Sequence, residues 1–408
     1  MSLSEYLQEF LPKDTRFDVL HVQSQPKVAK NVVCGLSEDS TCIKIQHFIV
    51  LYSQKVPVIG LEVHRYVIIH RDHTQLLLFV SKADTAGLIS VPSLKVGLVV
   101  KSCLKFILQL DLGQCLGKVL PRYPTFESVE KVDTVADSLK FLADISAGRE
   151  SFNPKTHYVG FEPKNPIIAQ ICMFTRPEPQ YLFPNSGKNH LKHQLSGESL
   201  LRWWIRIIDE LVTELDFHGN TKFKVTIPGA EKSSILKYLP NEKWEVGDIF
   251  SSQESDIAVY KIPLLPDDPK GRFLEHLVVE GRAKSTSIQR FWLELSARQE
   301  FRLGITVGVI GVSGELGVPA LEKVKYEEMV VFRKKKFLKL KLFVTGEDYS
   351  SVEEINSFND IKNVFGDEVF SSIVGRMEIP SQESTISKPS IRAPPLVNDL
   401  TSMIRRRK

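Results

Sequence analysis

Between residues 42 and 82 the chain reads "CIKIQHFIVLY", "VIGLEVHRYVIIH" and "QLLLFVSK", with the polar turns "SQK" and "RDHT" between them. Short runs rich in β-branched and aromatic residues, bounded by turn residues, are strands. Three in close succession commit this part of the chain to a meander, and the rest must pack on the sheet it starts. Much of the later chain is helical. "SLKVGLVVKSCLKFILQL" at 93–110 has the periodicity of a buried helix, and a second helix is expected at about 126–146. The clearest helix is "SGESLLRWWIRIIDELVTEL". Ser196 is placed to cap it, Glu198 stands in its first turn, and Leu200, Leu201, Trp204, Ile207, Ile208, Leu211 and Leu215 form one stripe.

Shorter elements fill the remainder. Leu3, Tyr6, Leu7 and Phe10 mark a small amphipathic helix ahead of Pro12. "KFKVTIPG", "IAVYKIPL" and "RLGITVGVIGV" read as strands, while Pro269 to about Gly281 and "IQRFWLELSARQEF" read as helices. The basic run "RKKKFLKLK", 333–341, alternates Lys339 and Lys341 with Leu338, Leu340 and Leu342, the pattern of a solvated edge strand. Beyond about 375 Ser, Thr and Pro dominate, so 375–408 is expected to be a disordered tail with the basic end "IRRRK". The expected fold class is α/β: a single large domain, 1–374, with a central mixed sheet surrounded by helices.

Composition narrows the chemistry. With 408 residues, 42% hydrophobic and 25% charged, the chain can bury a sizeable core. No apolar run approaches the roughly 20 residues of a membrane span, and the polar, acidic opening "MSLSEYLQEF" is no signal peptide. The five cysteines (Cys34, Cys42, Cys103, Cys115, Cys172) form no C-x-x-C pair, which argues against a disulfide framework or a zinc site and for a reducing compartment. His190 and His193 have no acidic or cysteine partner at ligand spacing, so no metal is expected. The net charge of +4 is too small for the whole chain to be a nucleic-acid binder. Neither G-x-G-x-x-G nor a phosphate-binding G-x-x-x-x-G-K-[ST] is present. Ser313, in "GITVGVIGVSGELG", is not in a G-x-S-x-G elbow.

Four stretches in order carry a more specific signal: "LLLFVSKADTAG" (76–87), "CMFTRPEPQYLFPNSGKNHLKH" (172–193), "GESLLRWW" (197–204) and "VGDIFSSQESDIAVYKIPLLPDDPKGRF" (246–273). They resemble the fungal histone acetyltransferase family that marks newly made histone H3 together with histone chaperones, a distant structural relative of the CBP-type acetyltransferases. The resemblance runs from residue 1 to about 370, with a variable region at 120–165. It implies the CBP-type fold, acetyl-CoA in a cleft near the sheet centre, and a long loop covering the coenzyme. It also implies a nuclear enzyme acting on newly synthesised H3 in H3–H4, stimulated by acidic chaperones of the nucleosome-assembly-protein and anti-silencing types. Its context would be replication-coupled nucleosome assembly and genome stability. No nucleic acid or membrane is implied as a partner.

The residues these motifs align are the candidate site. An acceptor lysine is neutral in only about one molecule in 2,500 at pH 7, so the site has to remove its proton before the thioester is attacked. By local rules Asp268, ahead of Pro269, is a helix cap, although Lys270 and Arg272 then put cations where the helix dipole disfavours them. By resemblance Asp268 is the proton acceptor or orients a water, Asp267 maintains an acidic wall, and Lys270 becomes self-acetylated. The division between the aspartates stays open, because a cap has a lowered pKa and makes a poor base. Asp84 reads locally as a strand-end turn residue; by resemblance Ala83, Asp84 and Thr85 border the coenzyme. Ser93, Leu94, Lys95 and Val96 at a helix start would offer N–H groups to the pyrophosphate. The resemblance further places Phe174 on the pantetheine arm, Arg176 on a phosphate, and His193, Gln194, Leu195 and Trp203 on the coenzyme. Tyr181 would lie by the acyl group as a proton donor, and Trp204 would wall the lysine stem. The basic segments would serve phosphates and acidic chaperones. Two other readings stand beside this one: a non-catalytic chromatin-assembly adaptor and, last, a nucleic-acid-binding module.

Overall fold

The computed structural model describes residues 2–35, 39–122, 158–251, 253–298, 305–317 and 330–378, with residues 139, 143 and 301. The described strands are β1 (Arg16–Ser24), β2 (Lys27–Ala29), β3 (Thr41–Ser53), β4 (Val56–Ile69), β5 (Thr74–Thr85), β6 (Ile167–Thr175), β7 (His218–Thr226), β8 (Trp244–Val246), β9 (Gly308–Glu315), β10 (Val330–Phe332) and β11 (Phe370–Val374). All join one mixed sheet in the order β10-β1-β3-β4-β5-β6-β9-β7-β8, with β11 also on β1 and β2 on β3. The meander expected at 42–82 is the antiparallel β3–β4–β5 unit at its heart. β6 then returns parallel to β5, which requires a long crossover between them.

The described helices are α1 (Leu3–Leu7), α2 (Val96–Leu108), α3 (Leu112–Leu116), α4 (Gly197–Leu215), α5 (Lys232–Leu236), α6 (Pro269–Val279), α7 (Ile288–Ser296), α8 (Lys334–Thr345) and α9 (Ser357–Phe365). They cover both faces of the sheet. One face carries Ile59, Leu61, Val63 and Val67 of β4 against Val99, Cys103 and Phe106 of α2 and Leu201, Ile208 and Leu211 of α4. On the other, Phe48, Val50 and Tyr52 of β3 meet Phe337, Leu340 and Val344 of α8 and Phe358 and Ile361 of α9. Cys42, Tyr66, Leu77 and Phe79 meet Leu265, just ahead of α6. Both sides of the central strands are therefore buried, which accounts for their nearly continuous apolar sequence.

Three expectations differ from the structure. Residues 334–341, expected as an edge strand, are helical. They open α8, which buries Phe337, Leu340 and Val344 and leaves Leu338 and Leu342 exposed, a 3–4-residue spacing that the local Lys/Leu alternation conceals. "IAVYKIPL" forms a short 3-10 turn, Ala258–Tyr260, rather than a strand, because Ala258 and Ile262 pack into the cluster made by α6 and α7. The strand expected in "RLGITVGVIGV" begins only at Gly308. The helix expected at 126–146 falls almost wholly outside the described residues, as does most of the variable region. The chain is described as far as Glu378, where the Lys13 N–H donates to the Met377 carbonyl (3.1 Å) and the Gly375 N–H to that of Thr15 (2.9 Å). The remainder of the tail lies outside the described residues.

Candidate active site

β5 runs out of the sheet at Asp84–Thr85, and the next turn, at Gly87, has φ +64. A Cβ on Gly87 would sit 2.5 Å from that of Lys192, so only glycine lets the 189–195 segment pass this close. That approach brings Lys192 to Asp84. The Asp84 Oδ1 accepts from Lys192 Nζ at 2.7 Å. Its Oδ2 accepts three successive backbone N–H groups, from Tyr181 (2.7 Å), Leu182 (2.9 Å) and Phe183 (3.3 Å). Lys192 also donates to Ser186 Oγ at 2.7 Å. Asp84 thus pins the proline-rich loop after β6 onto the end of β5.

Between that loop, α2 and α4 lies a cleft of 480 Å³ lined by Ala83, Asp84, Thr85, Val96, Arg176, Tyr181, Lys192, His193, Gln194, Leu195, Trp203 and Trp204, with Ile59, Val100, Pro177, Glu178, Pro179 and Leu200. A smaller recess continues from it past Ala83, Tyr181, Leu200 and Trp204 to Lys82, Phe174 and Thr175. The two indoles meet edge to face, with centroids 4.8 Å apart. The capping expected for α4 is present, Ser196 Oγ accepting the Ser199 N–H at 3.2 Å. The Tyr181 hydroxyl donates to the Arg176 carbonyl at 2.6 Å, and burial raises its pKa, so the phenol is protonated at neutral pH. Arg176 pairs with Glu178 at 2.7 Å.

Ser93, Leu94 and Lys95 do not line the cleft; of that group only Val96 does. Ser93 takes φ +62 and Lys95 is the N-cap of α2, with no side-chain capping bond. The Leu98 and Val99 amides donate to the Lys95 carbonyl at 3.0 and 3.3 Å, and a Cβ at Gly97 would lie 3.6 Å from Trp203 Nε1.

The "PDDPK" segment splits its aspartates. Asp268 caps α6, its Oδ1 accepting the Lys270 N–H at 3.0 Å. It is 1% exposed, as is Lys270, whose ammonium lies 2.5 Å from the other carboxylate oxygen. The cation in the first turn of α6 is therefore neutralised by the cap itself, 5.9 Å from the Phe174 ring centroid. Asp267 points the other way. It sits at φ +56, is largely exposed, and its Oδ2 lies 3.1 Å from Nζ of Lys82, a residue of the recess.

Sequence reasoning named Ala83, Asp84, Thr85, Val96, Arg176, Tyr181, His193, Gln194, Leu195, Trp203 and Trp204 in the cleft and Phe174 in the recess. It passed over Lys192, Glu178 and Lys82. Lys82 and Lys192 stood within the quoted motifs, but no local pattern gave either a partner. The lining suits an acyl-coenzyme A: apolar and indole walls for the pantetheine arm, with His193 and Gln194 among the polar groups. The paired charges Asp84 with Lys192 and Arg176 with Glu178 cancel.

A family profile for the histone acetyltransferase KAT11-type domain matches residues 3–364. The chain belongs to that family. It is 35% identical over 315 residues to histone acetyltransferase RTT109 of Candida albicans, an alignment covering 73% of this chain and 84% of the relative. With the protein of the same name from Schizosaccharomyces pombe it shares 32% over 151 residues, 34% of this chain and 39% of that one. The crystal structure of Rtt109 from Aspergillus fumigatus superposes with a TM-score of 0.65, covering 93% of this chain and all of that one; at 18% identity that likeness shows the fold. The chain is accordingly a KAT11-type histone acetyltransferase built on a large mixed sheet flanked by helices, and acetyl-CoA use follows from the family.

Proposed function

We propose that this enzyme moves acetyl from acetyl-CoA bound in the cleft to lysines of newly synthesised histone H3 presented in the recess, in the nucleus and with stimulation by acidic histone chaperones. The observation that carries the reading is the convergence of separate chain segments on one apolar cleft, continued by an aromatic recess whose Lys82 pairs with the Asp267 carboxylate.

In this reading Trp204, Tyr181 and Phe174 enclose the acceptor's methylene stem. Asp267, rather than Asp268, takes its proton directly or through a water, because both oxygens of Asp268 are committed to Lys270. The freed amine then forms the C–N bond as the thioester C–S bond breaks. Tyr181, whose hydroxyl proton is donated to the Arg176 carbonyl, walls that end of the recess, and water at the open mouth supplies the thiolate's proton. Asp84 holds the loop that carries Tyr181. Self-acetylation of Lys270 requires the buried pair with Asp268 to open first. The exposed lysines of α8, Lys334, Lys335, Lys336 and Lys339, suit an acidic chaperone and repel a basic histone tail.

The test is transfer of labelled acetyl from acetyl-CoA to H3–H4, with and without an acidic histone chaperone. Chaperone-stimulated incorporation into H3 supports the reading. No incorporation under any chaperone sinks it and favours an adaptor that keeps the fold without catalysis.

A further inference from the structure

Lys82 owes its position to an irregularity in the sheet. Along β5, Leu76, Leu78 and Val80 face the α2–α4 side and Leu77 and Phe79 the other. The pairing with β4 then skips a residue: Val63 lies opposite Val80 but Glu62 opposite Lys82, leaving Ser81 as the extra residue of a β-bulge. From there the alternation is inverted. Ala83 packs on the α2–α4 core, and Lys82 turns to the face that carries Leu265 and the "PDDPK" turn. A bulge re-aims side chains in this way. The nearest acid across the strand pair, Glu62, is already taken by Lys341 of α8 at 2.6 Å, so Lys82 reaches Asp267 instead. Asp267 cannot swing away with its turn, because the next residue is anchored as the buried cap of α6.

We propose that Lys82 is a specificity-determining residue: it holds the Asp267 carboxylate, so an incoming acceptor lysine must compete with it. The inference rests on the recess being the acceptor channel. With the pair intact the rim is electrically neutral, and a peptide is selected by how its lysine stem fits between Trp204, Tyr181 and Phe174. Without Lys82 the rim carries an unpaired negative charge and attracts any basic peptide.

The experiment measures binding of a labelled, lysine-bearing H3 peptide and a scrambled peptide of the same composition to the full chain by fluorescence anisotropy. The proteins are wild type, Lys82→Gln, Lys82→Arg, Asp267→Asn and the Gln/Asn double variant, each checked for an unaltered melting transition. Lys82→Gln should tighten both peptides by about threefold at low salt, the size expected of a partly exposed ion pair, and more for the scrambled one, so that discrimination narrows. The gain should fade as salt rises. Lys82→Arg should match wild type, Asp267→Asn should weaken binding, and the double variant should return near wild type. If Lys82 only braced Asp267, Lys82→Gln would weaken binding as Asp267→Asn does, and that result overturns the proposal. So does unchanged binding, or Lys82→Arg behaving like Lys82→Gln. Acetyl transfer by the wild type, measured alongside, separates the two failures. Transfer with no change in peptide affinity removes the Lys82 filter alone, while the predicted order of affinities without transfer removes the catalytic reading alone.

Discussion

Two buried lysine–aspartate pairs stand beside the cleft, and they differ in reach. Asp268 and Lys270 are two residues apart, so the cap was legible from "DDPK" alone. Asp84 collects partners 97 to 108 residues away, which no local rule can supply; its capacity to accept was visible, its partners were not. Lys82 is harder still, since its direction depends on which residue of β5 is skipped. Burying a pair of ions costs desolvation that their attraction only just offsets, and removing one partner leaves a lone charge in the core. Lys270→Met is therefore expected to destabilise the protein by about 3–5 kcal/mol. The Asp268→Asn/Lys270→Met double variant, which leaves no charge behind, should recover most of that loss. Urea unfolding of the three proteins checks it, and equal stability of Lys270→Met and wild type would contradict the buried pair.

At the scale of elements, α4 was legible because its cap, its stripe and its length agree. α8 was not. Lys and Leu are good helix formers, but five alternating residues fit a strand as well as a helix, and only the burial of Phe337, Leu340 and Val344 decides. The same ambiguity let the β-branched residues of "IAVYKIPL" pass for a strand. Leu340→Ala, fully buried, should cost about 2–5 kcal/mol, whereas Leu342→Ala, 65% exposed, should stay within about 0.5 kcal/mol. An edge strand with Leu338, Leu340 and Leu342 on one face would make the two losses comparable, so a pair of chemical denaturation curves distinguishes them.

The whole molecule hangs on a sheet buried on both faces, and burial reaches its histidines. His21 of β1 and His47 of β3 stack and share a 3.3 Å hydrogen bond. Burial pushes His21 down to about 4 and His47 well below 6.5, with the positive charge of Arg65 among the forces acting on His47. Protons on both rings would set donor against donor, and burial opposes even the first. Because these folded-state pKa values lie below the unfolded value, the native state binds fewer protons, and stability present above pH 6.5 is lost as pH falls toward 4. The melting temperature should therefore fall between pH 6.5 and 4.5, before most carboxylates titrate, and His47→Leu should flatten the slope. The general architecture was legible from the early meander and the later helices, while the convergence of distant loops on the cleft depended on tertiary contacts. We propose that Asp267, exposed beside Lys82, serves the chemistry and Asp268, in the core, serves the fold. The most direct measurement is kcat/KM for acetyl transfer to chaperone-bound H3–H4 by Asp267→Asn and Asp268→Asn, with melting curves for each. Asparagine tolerates the positive φ of residue 267. Asp267→Asn is expected to melt near wild type and to lose about 10²–10⁴-fold in kcat/KM, while Asp268→Asn loses melting temperature first. A well-folded Asp268→Asn that has lost turnover, beside an Asp267→Asn as fast as wild type, would reverse the roles of the two carboxylates.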